Sequence, residues 1–158
     1  MKLNSITLKN FKCFSDAFLQ LHPKMNVLVG VNGTGKSSML EALRVAAGAL
    51  FLGVDKYEGK IAAPGIIPDD VRLEKLEPLY PTVIEAHGSI NTFDANYEDT
   101  PKYEDITWIR SMDKHGGRTT MIKAKKMTEA SERMQKAIRE NRGVIPLLAY
   151  YNTERYKK

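Results

Sequence analysis

The chain carries a single cysteine, Cys13, in 158 residues. No internal disulfide can form, which excludes the disulfide-stapled secreted folds and agrees with a reducing compartment. Long apolar runs are missing too. The longest, residues 25–31 around one Asn and 144–151 around one Pro, fall far short of the roughly 20 residues that cross a bilayer. No membrane span is expected. Met1-Lys2-Leu3-Asn4-Ser5 runs straight into alternating residues, without the apolar core and cleavage site of a signal peptide. A cytoplasmic protein is therefore expected. His22, His87 and His115 are scattered without metal-ligand spacing, and no Ser-His-Asp or Cys-His constellation can be assembled. The one tryptophan, Trp108, sits with Ile106 and Ile109, which reads as packing rather than base stacking.

What is present is an ordinary globular mixture, 42% hydrophobic, 27% charged and 8% aromatic. The length suits one domain with a real core, and a single lobe over 1–158 is expected. The net charge of +5 is uneven: residues 1–101 hold 10 basic and 12 acidic side chains, residues 102–158 hold 14 and 7. A basic segment can attract a polyanion through counterion release. For Lys123, Lys125 and Lys126, a solvated edge is favoured over DNA contact.

Residues 3–10 alternate with strand period, Ile6 and Leu8 on one face and Thr7 and Lys9 on the other. After a polar break at Ser15-Asp16, residues 18–21 complete a predicted hairpin. Residues 26–29 form a compact β-branched run that reads as a buried central strand. Three- and four-residue spacing of Met39, Leu43, Ala46, Ala47 and Leu50 then predicts a helix over 35–50. Residues 51–81, rich in Gly and Pro, read as an irregular insertion with a helical turn near 69–76. Strands are predicted over 82–90, 106–112 and 119–124, the last two joined at His115-Gly116-Gly117. A helix is predicted over 128–142, with Thr128 as N-cap, Gly143 as terminator and an apolar stripe of Ala130, Met134, Ala137 and Ile138. Met121, Met127 and Met134 read as core or gap-filling residues. Residues 144–151 complete the pattern as a buried strand.

Gly30-Val31-Asn32-Gly33-Thr34-Gly35-Lys36-Ser37 satisfies G-x-x-x-x-G-K-[ST]. Average residue usage gives this pattern a chance of roughly 0.6% over such a chain. The spacing has a physical cause. Glycines let successive N–H groups turn around an anion, and the helix that follows offers unpaired amides and a favourable dipole. Lys36 supplies a cation for the β and γ phosphates, and Ser37, followed by Ser38, offers a hydroxyl to Mg²⁺. Gly30, Asn32, Gly33, Thr34, Gly35, Lys36, Ser37 and Ser38 are the expected ATP-binding residues, with Ser37 on the metal.

A hairpin before the loop, Asn10-Phe11-Lys12-Cys13-Phe14 closing the first strand, and Gly-x-Asn-Gly-x-Gly-Lys-Ser-Ser in the loop together resemble the ATPase heads of SMC, RecF, RecN and OLD-family proteins. These are ABC-type ATPases. The resemblance implies an α/β P-loop NTPase lobe with an antiparallel β subdomain packed beside the P-loop strand and helix. It also implies Lys12, with Cys13, near the nucleotide, head-to-head homodimers, and action on or near DNA. A second resemblance lies at 146–155, where Pro-Leu-Leu-Ala-Tyr-Tyr-Asn-Thr-Glu-Arg is similar to a segment of bacterial AAA-family ATPases found with Septu-type and retron-associated anti-phage systems. It implies a defence context and a nuclease partner. Asn152 and Glu154 stand where that segment has glycines, and Thr153 and Arg155 are candidate γ-phosphate sensors, although a core strand with a solvated polar end is the favoured reading.

The catalytic equipment of such a head is not in this sequence. Walker B needs an apolar run followed by Asp-Glu; Ile66-Ile67-Pro68-Asp69-Asp70 has a proline where a central strand needs an N–H, and Val83-Ile84-Glu85 lacks the aspartate. The Ser-Gly-Gly signature is missing as well. The expectation is the first lobe of a longer ATPase, near background in hydrolysis by itself. The alternatives are a stand-alone nucleotide-binding module that signals or assembles without hydrolysis, and, less favoured, a small phosphotransferase.

Overall fold

The alternation of Ile6 and Leu8 with Thr7 and Lys9 builds the first strand of a four-stranded antiparallel sheet. In the computed structural model, which describes residues 1–54, 63–92, 102–141 and 147–151, the strands are β1 (Lys2–Phe11), β2 (Phe14–Gln20), β5 (Thr82–Thr92) and β6 (Lys102–Met112). Their order is β2-β1-β5-β6. A minor hairpin pairs β3 (Leu73–Glu74) with β4 (Glu77–Pro78). The main register places Ile6 opposite Ala86, Leu8 opposite Ile84 and Ala86 opposite Trp108, so these apolar residues share one face. Helices α1 (Lys36–Gly48) and α2 (Lys125–Arg139) cover that face. Each fully buried Ile or Leu there contributes roughly 1.5–3 kcal/mol. The Trp108 indole N–H donates to the Ala46 carbonyl at 2.9 Å, fixing α1 on the sheet. Trp108 is thus a packing residue.

The fold is the α/β P-loop lobe with an antiparallel β subdomain. Helix α1, continued by a 3₁₀ turn over Ala49–Gly53, agrees with the predicted helix, although Ala42 and Val45 are buried while Leu43 and Ala47 are only half-buried. Several boundaries differ. The first hairpin reverses at Lys12-Cys13, not at Ser15-Asp16, because Asn10 and Lys12 take left-handed backbone there. The helical turn of the insertion is confined to Pro68–Asp70, and the residues after it form the β3–β4 hairpin.

Residues 119–124 are not a strand. Thr120 N–H makes one ladder-like bond to Ser111 (2.7 Å), and the Thr119 hydroxyl turns to Ile66 instead (2.8 Å). A 3₁₀ turn at Ile122–Ala124 then leads into α2. That helix starts before the expected N-cap. Buried Met127 extends its stripe by a turn, and Thr128 lies inside it, its hydroxyl donating to the Ala124 carbonyl (3.2 Å). Met121 is exposed rather than core. Gly143, Arg142 and the first residues of the expected terminal strand lie outside the described residues.

The largest difference concerns the two expected central strands. Residues 25–31 form no strand, and Val27, Val29 and Val31 are 73%, 89% and 76% exposed. Residues 147–151 likewise form none, with Leu147 exposed and Tyr150 lying over the Arg44 guanidinium. Among the described residues no strand lies beside either segment, so their backbone groups have no ladder to join.

Candidate functional site: the phosphate loop

The loop from Gly30 to Gly35 leaves the unpaired segment and enters α1 directly. Gly33 and Gly35 adopt φ of 86° and 87°, a region that costs other residues strain. At Gly33 an added Cβ would meet nothing within 4 Å, so the conformation and not crowding demands glycine there. At Gly35 both apply: a Cβ would stand 2.5 Å from the Cys13 sulfur and 2.7 Å from the Phe14 ring. The β1–β2 turn therefore rests on the loop.

The first hydrogen bond of α1 runs from Met39 N–H to the Gly35 carbonyl (2.8 Å). The amides of Lys36, Ser37 and Ser38 have no partner inside the helix. The Thr34 hydroxyl donates to the Val31 carbonyl (2.9 Å), tightening the loop. Lys36 folds back over it, its ammonium donating to the Gly30 and Val31 carbonyls at 2.7 and 2.6 Å. Ser37 is exposed at the second position of the helix. Open amides, an ammonium folded over the loop and glycines in left-handed backbone fit a phosphate chain, and the exposed Ser37 hydroxyl is of the kind that would hold Mg²⁺ there.

The resemblance to SMC and RecF heads implies Lys12 near the nucleotide. In the structure its ammonium pairs with Glu41 of α1 and with Asp70 (3.2 Å). Burial pulls the Lys12 pKa down, but hydrogen bonding and charge from Glu41 and Asp70 more than offset it, and the net direction is up. Neither carboxylate was singled out for this role. Asp70 follows Pro68, which bars its segment from a central strand, and only the contact between distant segments brings it to Lys12. Val83-Ile84-Glu85 lies within β5 with Glu85 exposed. His22 belongs to a turn closed by Asn26, His87 is exposed on β5, and no His/Cys/Asp/Glu cluster suited to a metal exists among the described residues. Lys125 pairs with Glu129 at 3.6 Å on an exposed helix face. Asn152, Thr153, Glu154 and Arg155 lie outside the described residues. Among the described residues no helix is long and apolar enough to cross a membrane.

A family model described as "AAA ATPase domain" matches residues 1–141. The chain belongs to that family. This ATPase domain is 48% identical across 42 residues to the DNA double-strand break repair Rad50 ATPase of Halobacterium salinarum, covering 27% of this chain and 5% of that protein. It is 45% identical across 47 residues to the DNA replication and repair protein RecF of Lactococcus lactis, covering 30% of this chain and 13% of that protein. RecF of Staphylococcus aureus matches at 38% over the same length. The matches thus span a small part of these relatives. A solved structure described as "Structural biochemistry of ATP-driven dimerization and DNA stimulated activation of SMC ATPases" superposes with a TM-score of 0.46 and 17% identity, over 82% of this chain and 77% of that one.

Proposed function

We propose that this lobe binds ATP with Mg²⁺ through Gly30, Asn32, Gly33, Thr34, Gly35, Lys36, Ser37 and Ser38, Ser37 reaching the metal and Lys12 approaching the phosphates from the β1–β2 turn. The observation that carries the reading is the sequence of two left-handed glycines, a folded-back Lys36 and the open amides of α1. In the complete protein this lobe joins a catalytic half bearing Walker B and signature elements, hydrolyses ATP, and pairs head to head with a second copy. Exposed Val27, Val29 and Val31 support that reading, since apolar alternation outside any sheet is a surface left for another element. The names of the relatives, DNA double-strand break repair and DNA replication and repair, support work on or near DNA. The basic excess of residues 102–158 agrees. An anti-phage setting with a nuclease partner rests on the resemblance of residues 146–155. The cytoplasm is the matching location.

Calorimetry tests the binding claim. Lys36→Ala removes the ammonium that spans the loop carbonyls, and ATP–Mg²⁺ binding by this chain is expected to fall below detection. Unchanged affinity places the nucleotide elsewhere. An apolar run ending in Asp-Glu, encoded downstream of Lys158, supports the longer ATPase. An immediate natural stop codon favours the stand-alone binding module.

A further inference from the structure

The β1–β2 turn that leans on the phosphate loop is gripped from its other side. Asn10 and Lys12 both take left-handed backbone, φ 51° and 50°, and residues 70–72 hold the resulting reversal. Lys12 N–H donates to the Asp70 carbonyl (2.7 Å) and Arg72 N–H to the Asn10 carbonyl (3.0 Å), while the Arg72 guanidinium donates to the Cys13 carbonyl (2.7 Å). The Lys12 side chain is gripped as well. Asp70, 3% exposed, presents one carboxylate oxygen to the Lys12 ammonium at 3.2 Å and accepts Ile67 N–H on the other at 3.0 Å. Glu41, partly exposed, pairs with the same ammonium from α1.

Glu41 lies four residues after Ser37, on the same helix face and about 6 Å further along the axis. The ammonium is thus parked one turn away from the hydroxyl expected to meet Mg²⁺. Two carboxylates hold the one ammonium, while the Arg72 guanidinium is spent on the Cys13 carbonyl, beside a loop suited to a polyanion. A phosphate chain entering that loop meets a less repulsive field once the ammonium turns toward it.

We propose that Glu41 and Asp70 are positioning residues forming a carboxylate latch on Lys12, and that a bound nucleotide competes with Glu41 for the Lys12 ammonium. This rests on the nucleotide reading of the loop. Asp70 is the fixed half of the latch, since its carboxylate also caps the 3₁₀ turn. Glu41 is the releasable half, because its side chain is 33% exposed against 4% for Asp70, and a small turn of the carboxylate brings the buried Oε2 that faces Lys12 to water when Lys12 leaves. Latch strength therefore sets part of the nucleotide affinity, and whatever displaces the 68–72 segment changes that affinity without touching the loop.

Glu41→Gln and Glu41→Asp separate the latch from simple repulsion. Glu41→Gln removes charge and latch together; Glu41→Asp keeps the charge but withdraws the carboxylate from Lys12. Calorimetric titration of the full chain with ATP–Mg²⁺ is expected to show about two- to fivefold tighter binding for both, the range a part-exposed ion pair supplies. In a Lys12→Met background, Glu41→Asp is expected to change nothing. Tightening by Glu41→Gln alone reduces Glu41 to a repelling charge and overturns the latch, as does a Glu41→Asp effect that persists without Lys12. If Lys36→Ala abolishes binding while neither Glu41 variant shifts it, the latch fails and the nucleotide reading stands. If the unmutated chain binds no ATP, both fail.

Discussion

Arg110 lies on the core face of β6, 3% exposed, and its guanidinium is only partly served. One nitrogen donates to the Pro64 carbonyl at 3.3 Å, while Nε and Nη1 have no hydrogen-bond partner. Burial draws its pKa below the ordinary value. No carboxylate pairs with it among the described residues, so the site carries the desolvation cost of a cation without a matching anion. Arg110→Met keeps the length and apolar stem while removing the charge. It is expected to raise unfolding free energy by about 1–2 kcal/mol, measured by urea denaturation. A loss of stability would mean that the guanidinium contributes more to the packing of residues 64–66 than its bonds indicate. Lys12 differs at the same scale. It is also partly buried, but two carboxylates more than offset the burial, and its charge is retained.

At the scale of elements, the sheet was legible wherever period-2 alternation met a buried face, as at Ile6-Leu8 and Ile84-Ala86. Helix α1 was legible through its spacing and the glycine that precedes it. Other features depended on contacts that sequence does not display. Thr119 and Thr120 look like strand residues, yet their hydroxyls serve Ile66 and Ser111 instead of a ladder. Thr128 looks like an N-cap but lies inside a helix that Met127 extends through burial. The unpaired segment at 25–31 has the composition of a central strand, and composition cannot announce a missing neighbour. The phosphate loop was readable because its chemistry is local. The Lys12-Glu41-Asp70 arrangement was not, because its members are far apart in the chain.

The packing of α2 gives a prediction at this same scale. Gly53 lets the 3₁₀ turn after α1 approach α2 so closely that an added Cβ would stand 2.1 Å from the Thr128 carbonyl oxygen. Gly53→Ala must push the two elements apart and is expected to cost about 1–3 kcal/mol in denaturant unfolding. Unchanged stability would show that α2 can shift without loss.

For the molecule as a whole, the antiparallel subdomain meets the phosphate loop where the β1–β2 turn lies against Gly35. A phosphate chain seated on the loop as proposed would lie beside that turn and its thiol. Cys13 is the only cysteine of the chain and is exposed, which makes it a local reporter of occupancy. The most direct measurement is the rate at which a maleimide alkylates Cys13, followed by mass spectrometry with and without saturating ATP–Mg²⁺, in the unmutated chain and in Lys36→Ala. Nucleotide is expected to slow alkylation at least several-fold in the unmutated chain and to have no effect in the variant. Equal rates with and without ATP–Mg²⁺ in the unmutated chain would contradict the placement of the phosphates on this loop.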